Sequence, residues 1–248
     1  MTFDHTSDIE PEPGRRRPGR AWTVAAAAIV TLIALAAVVV ILATRGGDKA
    51  PPAGSAPAPV APPVESPNAA PLPAQNQSVP DSPPPGISWT LFQGVALPSS
   101  ATAGPTRVQG PVLAGYAQTP VGALLAAAQI SYRYLISPGD DWRQVVDQQV
   151  MPNSGRDVYV QKRAKVTGAS AAPGTYGQLA GFRFVTYAPD TAVIQYVTRF
   201  SNGNLQLATD TVHWFAGDWK LQLQPDGSET PTVQSVANLA GFIPWSGL

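Results

Sequence analysis

Residues 22–43 read WTVAAAAIVTLIALAAVVVILA and contain no charged side chain. About 20 apolar residues, wound as a helix, span the hydrocarbon core of a bilayer. Within lipid the backbone must satisfy its own hydrogen bonds, and a helix does so in one segment. The run therefore predicts a transmembrane helix over residues 21–44. Its apolar side chains cover every face, whereas a helix on a soluble core shows one stripe. It exceeds the roughly 7–15-residue apolar core of a signal peptide. Small residues near Leu42, Ala43 and Thr44 leave cleavage as the alternative.

The flanks set the orientation. Arg15, Arg16, Arg17 and Arg20 precede the run, and Arg45 and Lys49 follow it. The side richer in lysine and arginine stays in the cytoplasm. The expected topology is an N-terminal cytoplasmic tail, a single pass through the cell membrane, and an extracytoplasmic remainder. Residues 1–20 carry no apolar period and read as a disordered tail.

Residues 45–85 read as a disordered linker. Thirteen prolines fall between Pro51 and Pro85, where Glu65 and Asp81 are the charged residues. Proline fixes φ and removes an amide donor, so interior helix and interior strand are both excluded. Such a chain extends by about 3.1 Å per residue where it adopts polyproline II. The linker reads as an arm that holds a domain away from the membrane.

Residues 86–248 are long enough for one domain with a real core, since domains run to about 100–150 residues. The chain is formally neutral, which argues against a nucleic-acid binder needing a basic face. It contains no cysteine, so disulfides, cysteine-ligated zinc and a cysteine nucleophile are excluded. The lead-in over 86–118 carries Ile87, Trp89, Leu91 and Phe92, expected to pack on the domain as an extended strand or strap.

Thr119 and Pro120 suit the N-cap and first position of a helix. Leu124, Leu125, Ala128, Tyr132 and Leu135 then recur at three- and four-residue spacing, predicting an amphipathic helix over 121–136. Asp140 and Asp141 open a second helix over 141–150, built on Trp142, Val145 and Val146. The paired aspartates invite a metal or acid–base reading, but adjacent acids before a helix are far more often caps.

From residue 157 the period changes to alternation. The expected strands are 157–166, 178–187, 191–200, 204–215 and 218–223. Pro189-Asp190, Asn202-Gly203 and Ala216-Gly217 read as hairpin turns. A loop at 225–227 precedes a short helix near 233–239, and the aromatics of 241–245 are expected to cover an end of the sheet. The fold class is α+β: the membrane helix and linker, then two helices packed on a curved antiparallel sheet.

A hydrolytic triad needs a histidine base. Beyond the tail, His213 is the histidine available, on a strand face with Leu205, Leu207, Thr209 and Thr211. Alternation puts Asp210 on the opposite face, so it is no local partner. No H-E-x-x-H, Walker loop, G-x-S-x-G or dinucleotide fingerprint occurs. The reading is of a protein that is not an enzyme, with no catalytic, cofactor-binding or metal residue and no cofactor.

The order of span, arm, helices and curled sheet resembles the cone-shaped nuclear transport factor two-like fold. The stretches GYAQTPVGALLAA (115–127), GDWKLQLQPDG (217–227) and LAGFIPW (239–245) resemble an uncharacterised actinobacterial envelope domain. Such domains are similar in plan to the single-span inner-membrane assembly proteins of type IV secretion and conjugation systems. They are similar too to membrane proteins associated with mammalian-cell-entry lipid transport in actinobacteria. The resemblance implies an envelope scaffold or interaction protein whose partners are the bilayer and other proteins or copies of itself. The alternative is a small-ligand or lipid-binding cone, lined by Tyr132, Trp142 and strand aromatics. A hydrolase or lyase using His213 is the third reading.

Overall fold

The computed structural model describes residues 76–166 and 175–247. The expected membrane helix, cytoplasmic tail, most of the linker and residues 167–174 lie outside the described residues. No helix among the described residues is long and apolar enough to cross a membrane.

Two small hairpins come first. Strand β1 (Ile87–Phe92) pairs antiparallel with β2 (Val95–Ser100), and β3 (Arg107–Gln109) pairs with β4 (Val112–Ala114). The expected strap is thus a hairpin, and its apolar residues divide. Trp89 packs edge-on against Trp245 at 4.9 Å between ring centres, whereas Leu91 is exposed.

Helix α1 (Pro120–Ile136) starts where its sequence indicates. The Thr119 hydroxyl accepts the Gly122 amide at 3.1 Å, satisfying one of the unpaired donors of a helix start. Glycine is required at 122, because a Cβ there would meet the Ala117 carbonyl oxygen at 1.9 Å. The helix is not amphipathic in the expected sense. Residues 122–131 are all buried, Gln129 and Ser131 included, while Tyr132 and Leu135 are only half-buried. The reason is that α1 is covered on several sides. Hairpin β1–β2 lies on one, where Gln129 Nε2 donates to the Pro98 carbonyl, and the main sheet and α2 lie on others.

Helix α2 (Asp141–Gln149) follows and buries Trp142, Val145, Val146 and Gln149. The Asp140 side chain sits at its N-cap position without capping, and instead pairs with Arg143 at 3.3 Å.

The next element corrects the sequence reading. Residues 157–166 do not form a strand: Ser154–Arg163 wind into helix α3, giving three helices rather than two among the described residues. Asn153 caps it by accepting the Arg156 amide at 2.9 Å. Lys162 and Arg163 complement its C-terminal dipole, and Asp157 its first turn. Tyr159 supplies the buried face, packing on Tyr134 and Trp142. The alternation of Val158 and Val160 is therefore the wrong period for this segment.

The main sheet follows the expected meander closely. Strands β5 (Gln178–Ala188), β6 (Thr191–Arg199), β7 (Leu205–Phe215) and β8 (Asp218–Gln222) pair antiparallel in chain order. The Ala216-Gly217 turn places both residues at positive φ, as the tight hairpin turn requires. The segment expected to be helical near 233–239 is instead strand β9 (Gln234–Val236), pairing with Leu205–Leu207 of β7. The edge of β7 offers unpaired amides there, and a strand satisfies them where a helix would not. Strand β10 (Ile243–Pro244) closes the other side against β5. The sheet is mostly antiparallel and does not close on itself.

Phe182, Ile194, Tyr196, Val212, Trp219 and Leu221 face the helices and form the main core. Ala180, Val197, Leu205 and Leu207 form a second cluster, covered by Val236, Leu239 and Phe242. The sheet is thus covered by helices on one face and by its own C-terminal segment on part of the other.

Candidate functional site

His213 was the histidine open to a catalytic reading. The structure places it in a surface cleft of about 420 Å³ shared with Met151, Asn153, Trp214 and the half-exposed Phe215. Its Nδ1 lies 3.1 Å from Thr191 Oγ1, and its Nε2 meets the Gln222 side-chain carbonyl. Both ring nitrogens are therefore engaged by neutral partners. No carboxylate is among those partners, as strand alternation indicates for Asp210.

The residues expected to line a cone-shaped pocket are packed instead. Trp142 is 3 % exposed and lies against Tyr159. The Tyr132 hydroxyl donates to the Gly177 carbonyl at 2.7 Å. Tyr196 donates to the Leu124 carbonyl at 2.6 Å, and Trp219 Nε1 to the Ala117 carbonyl at 2.8 Å. Large rings thus fill the space between α1 and the sheet; Tyr132, Tyr196 and Trp219 have their polar atoms satisfied by main chain, whereas the buried Tyr116 hydroxyl has no partner. Among the described residues no group of three histidine, aspartate or glutamate side chains could hold a metal.

The chemically unusual place lies inside. Asp210 is 1 % exposed and projects from β7 toward α1. Its Oδ2 accepts the Ser131 hydroxyl at 2.7 Å, and its Oδ1 is buried with no hydrogen-bond partner. Glu229, on the loop after β8, brings a second buried oxygen, Oε2, that also lacks a partner. The Tyr134 hydroxyl interacts with the Glu229 carboxylate.

Burial pushes the Asp210 carboxyl up to about 7, with the Ser131 hydrogen bond acting in the opposite sense. The Glu229 carboxyl is raised well above the ordinary range, first by burial and then by the charge of Asp210; the Tyr134 contact opposes this. Burial raises the Tyr134 and Tyr196 hydroxyls too, with these carboxylates adding to the effect. Neither carboxylate forms an ion pair; those of the described residues are Arg107–Asp218 and Arg143–Asp140.

Sequence reasoning did not find this pair. Leu205 and Leu207 advertise one face of β7 as the buried one, which leaves Asp210 looking solvent-facing. The available signal was a serine, Ser131, in an otherwise apolar helix.

The fold defines an α+β domain whose central helix is enclosed by an open antiparallel sheet and a hairpin, with a filled interior. Residues 49–244 match the family described as a domain of unknown function, DUF8175, and the chain belongs to that family. Neither the curated proteins nor the solved structures provide a match.

Proposed function

We propose that the protein is a membrane-anchored extracytoplasmic scaffold or interaction protein without catalytic activity. The observation that carries this reading is the filled interior: the rings that could have lined a ligand cavity pack on one another and on α1. A domain built so has its outer surfaces to offer, and the bonding of both His213 nitrogens to neutral partners gives no activated base. The apolar run at 22–43 supplies the anchor and the proline-rich segment the arm.

The helices and sheet are compatible with a nuclear transport factor two-like plan, which would join the protein to single-span assembly components of a conjugation or type IV secretion-like apparatus in an actinobacterial envelope. Membrane crosslinking of the intact protein, with mass spectrometry of what is trapped, is the test. A regular homo-oligomer or a defined set of protein partners is expected. Monomer alone, carrying co-purified lipid, would overturn the reading in favour of a lipid-binding domain.

A further inference from the structure

The free side of β7 is occupied by three things in succession. Strand β8 takes Thr211–Phe215, β9 takes Leu205–Leu207, and between them the loop touches β7 where the Thr209 amide donates to Thr230 Oγ1 at 3.0 Å. Glu229 precedes that contact, so it reaches the interior through the break in the ladder, beside Asp210. The loop is shaped by Gly227 at positive φ, whose amide donates to the Gln224 carbonyl at 2.8 Å. The first turn of α3 presses on it, since a Cβ at Gly155 would meet the Gln224 carbonyl oxygen at 2.1 Å.

Every element around the pair offers hydroxyls rather than a bonded cation. Helix α1 presents Ser131, Tyr132 and Tyr134; α3 presents Tyr159; β6 presents Tyr196. Arg163 lies toward Trp142 and acts on Tyr159 and Tyr176, and no cation acts on either carboxylate. Two ionised carboxylates here would be buried with one oxygen each unbonded and no counter-ion, a costly arrangement. A proton removes one charge and gives the carboxyl that carries it a donor.

We propose that residues 224–236 form a pH-sensitive flap, seated on β7 by a proton held in the Asp210–Glu229 pair and loosened when both carboxyls ionise. The raised affinity of both groups for protons supports this and fixes the sign. A group whose folded state binds the proton more tightly stabilises that state at low pH and loses the contribution as pH climbs. For Asp210 the loss runs from its ordinary value of 3.8 up to about 7. Beyond the pair the flap is held by Thr230, by the three ladder residues of β9, by Lys162 donating to the Asp226 carbonyl at 2.7 Å, and by the close approach of Gln224 and Gly227 to α3. Val236 of the flap covers Leu205 and Leu207, so loosening bares an apolar strip on the sheet. The inference goes beyond the scaffold reading and does not depend on it.

The test is hydrogen exchange on the full-length chain in detergent micelles at about pH 5 and about pH 8.5, corrected for intrinsic exchange. Protection over 224–236 is expected to fall roughly tenfold or more at the higher pH, while β6 stays unchanged. In Asp210→Asn and in Glu229→Gln the pH response of the flap is expected to vanish. Protection over 224–236 that is independent of pH in the natural chain overturns the proposal, and that measurement decides even if neither variant folds. The same pH response in both variants would overturn it as well.

Discussion

Two buried aspartates stand at either end of the β7–β8 hairpin and are treated in opposite ways. Asp218 opens β8 and accepts the amides of Gly115 at 2.6 Å, Tyr116 at 3.1 Å and Trp219 at 3.0 Å, with Arg107 at 3.4 Å. Asp210 accepts one hydroxyl and leaves Oδ1 unbonded. The first carboxylate is a structural acceptor that ties the chain before α1 to the sheet. The second is a charge that its surroundings disfavour, beside Glu229, which is disfavoured too. The difference teaches that burial of an acid is not one condition. What matters is the number of donors the fold delivers, since charge-assisted bonds offset desolvation and an empty lone pair does not.

The largest expected effect comes from breaking the satisfied partner. Asp218→Ala leaves the Gly115 and Tyr116 amides without an acceptor and removes the partner of Arg107. A loss of about 3–5 kcal/mol is expected in urea unfolding. A loss below about 1 kcal/mol would mean that the amides find other partners and that the contrast between the two sites is weaker than drawn.

Asp210→Asn sharpens the comparison from the other side. The natural chain is expected to lose stability as pH rises from about 4 to about 7, because the folded state keeps a proton that the unfolded chain releases. The asparagine variant has no such proton to hold. Relative to its standing at pH 4, it should therefore gain on the order of 3 kcal/mol over the natural chain by about pH 8. Parallel stability curves for the two chains would show that Asp210 keeps an ordinary affinity in the fold.

Much of the sheet was legible because its turns punctuate it. Pro189-Asp190, Asn202-Gly203 and Ala216-Gly217 fall between strands whose observed ends agree with the alternating pattern to within about two residues. The caps of α1 and α2 were legible for the same local reason, although Asp140 turned out to pair with Arg143 rather than cap. Helix α3 was misread because Val158 and Val160 alternate, while the decisive signal was Asn153 as an N-cap.

Strand β9 depends on an unpaired stretch of β7 edge that only the assembled sheet provides. The Asp210–Glu229 pair was illegible for a deeper reason. Both faces of β7 are covered, helices on one and the C-terminal segment on part of the other, so alternation could not say which face was interior. Glu229 arrives from a loop whose path follows from Gly227 and the contact with Gly155 rather than from any period.

The most direct measurement is the isotope-edited infrared spectrum of the full-length chain with labelled aspartate, recorded against Asp210→Asn across the pH range. A protonated carboxyl absorbs as a carbonyl stretch well separated from the carboxylate bands. The account predicts one such aspartate band at about pH 6, absent from Asp210→Asn and fading as pH passes about 7. An aspartate spectrum made only of carboxylate bands at about pH 6 would contradict it.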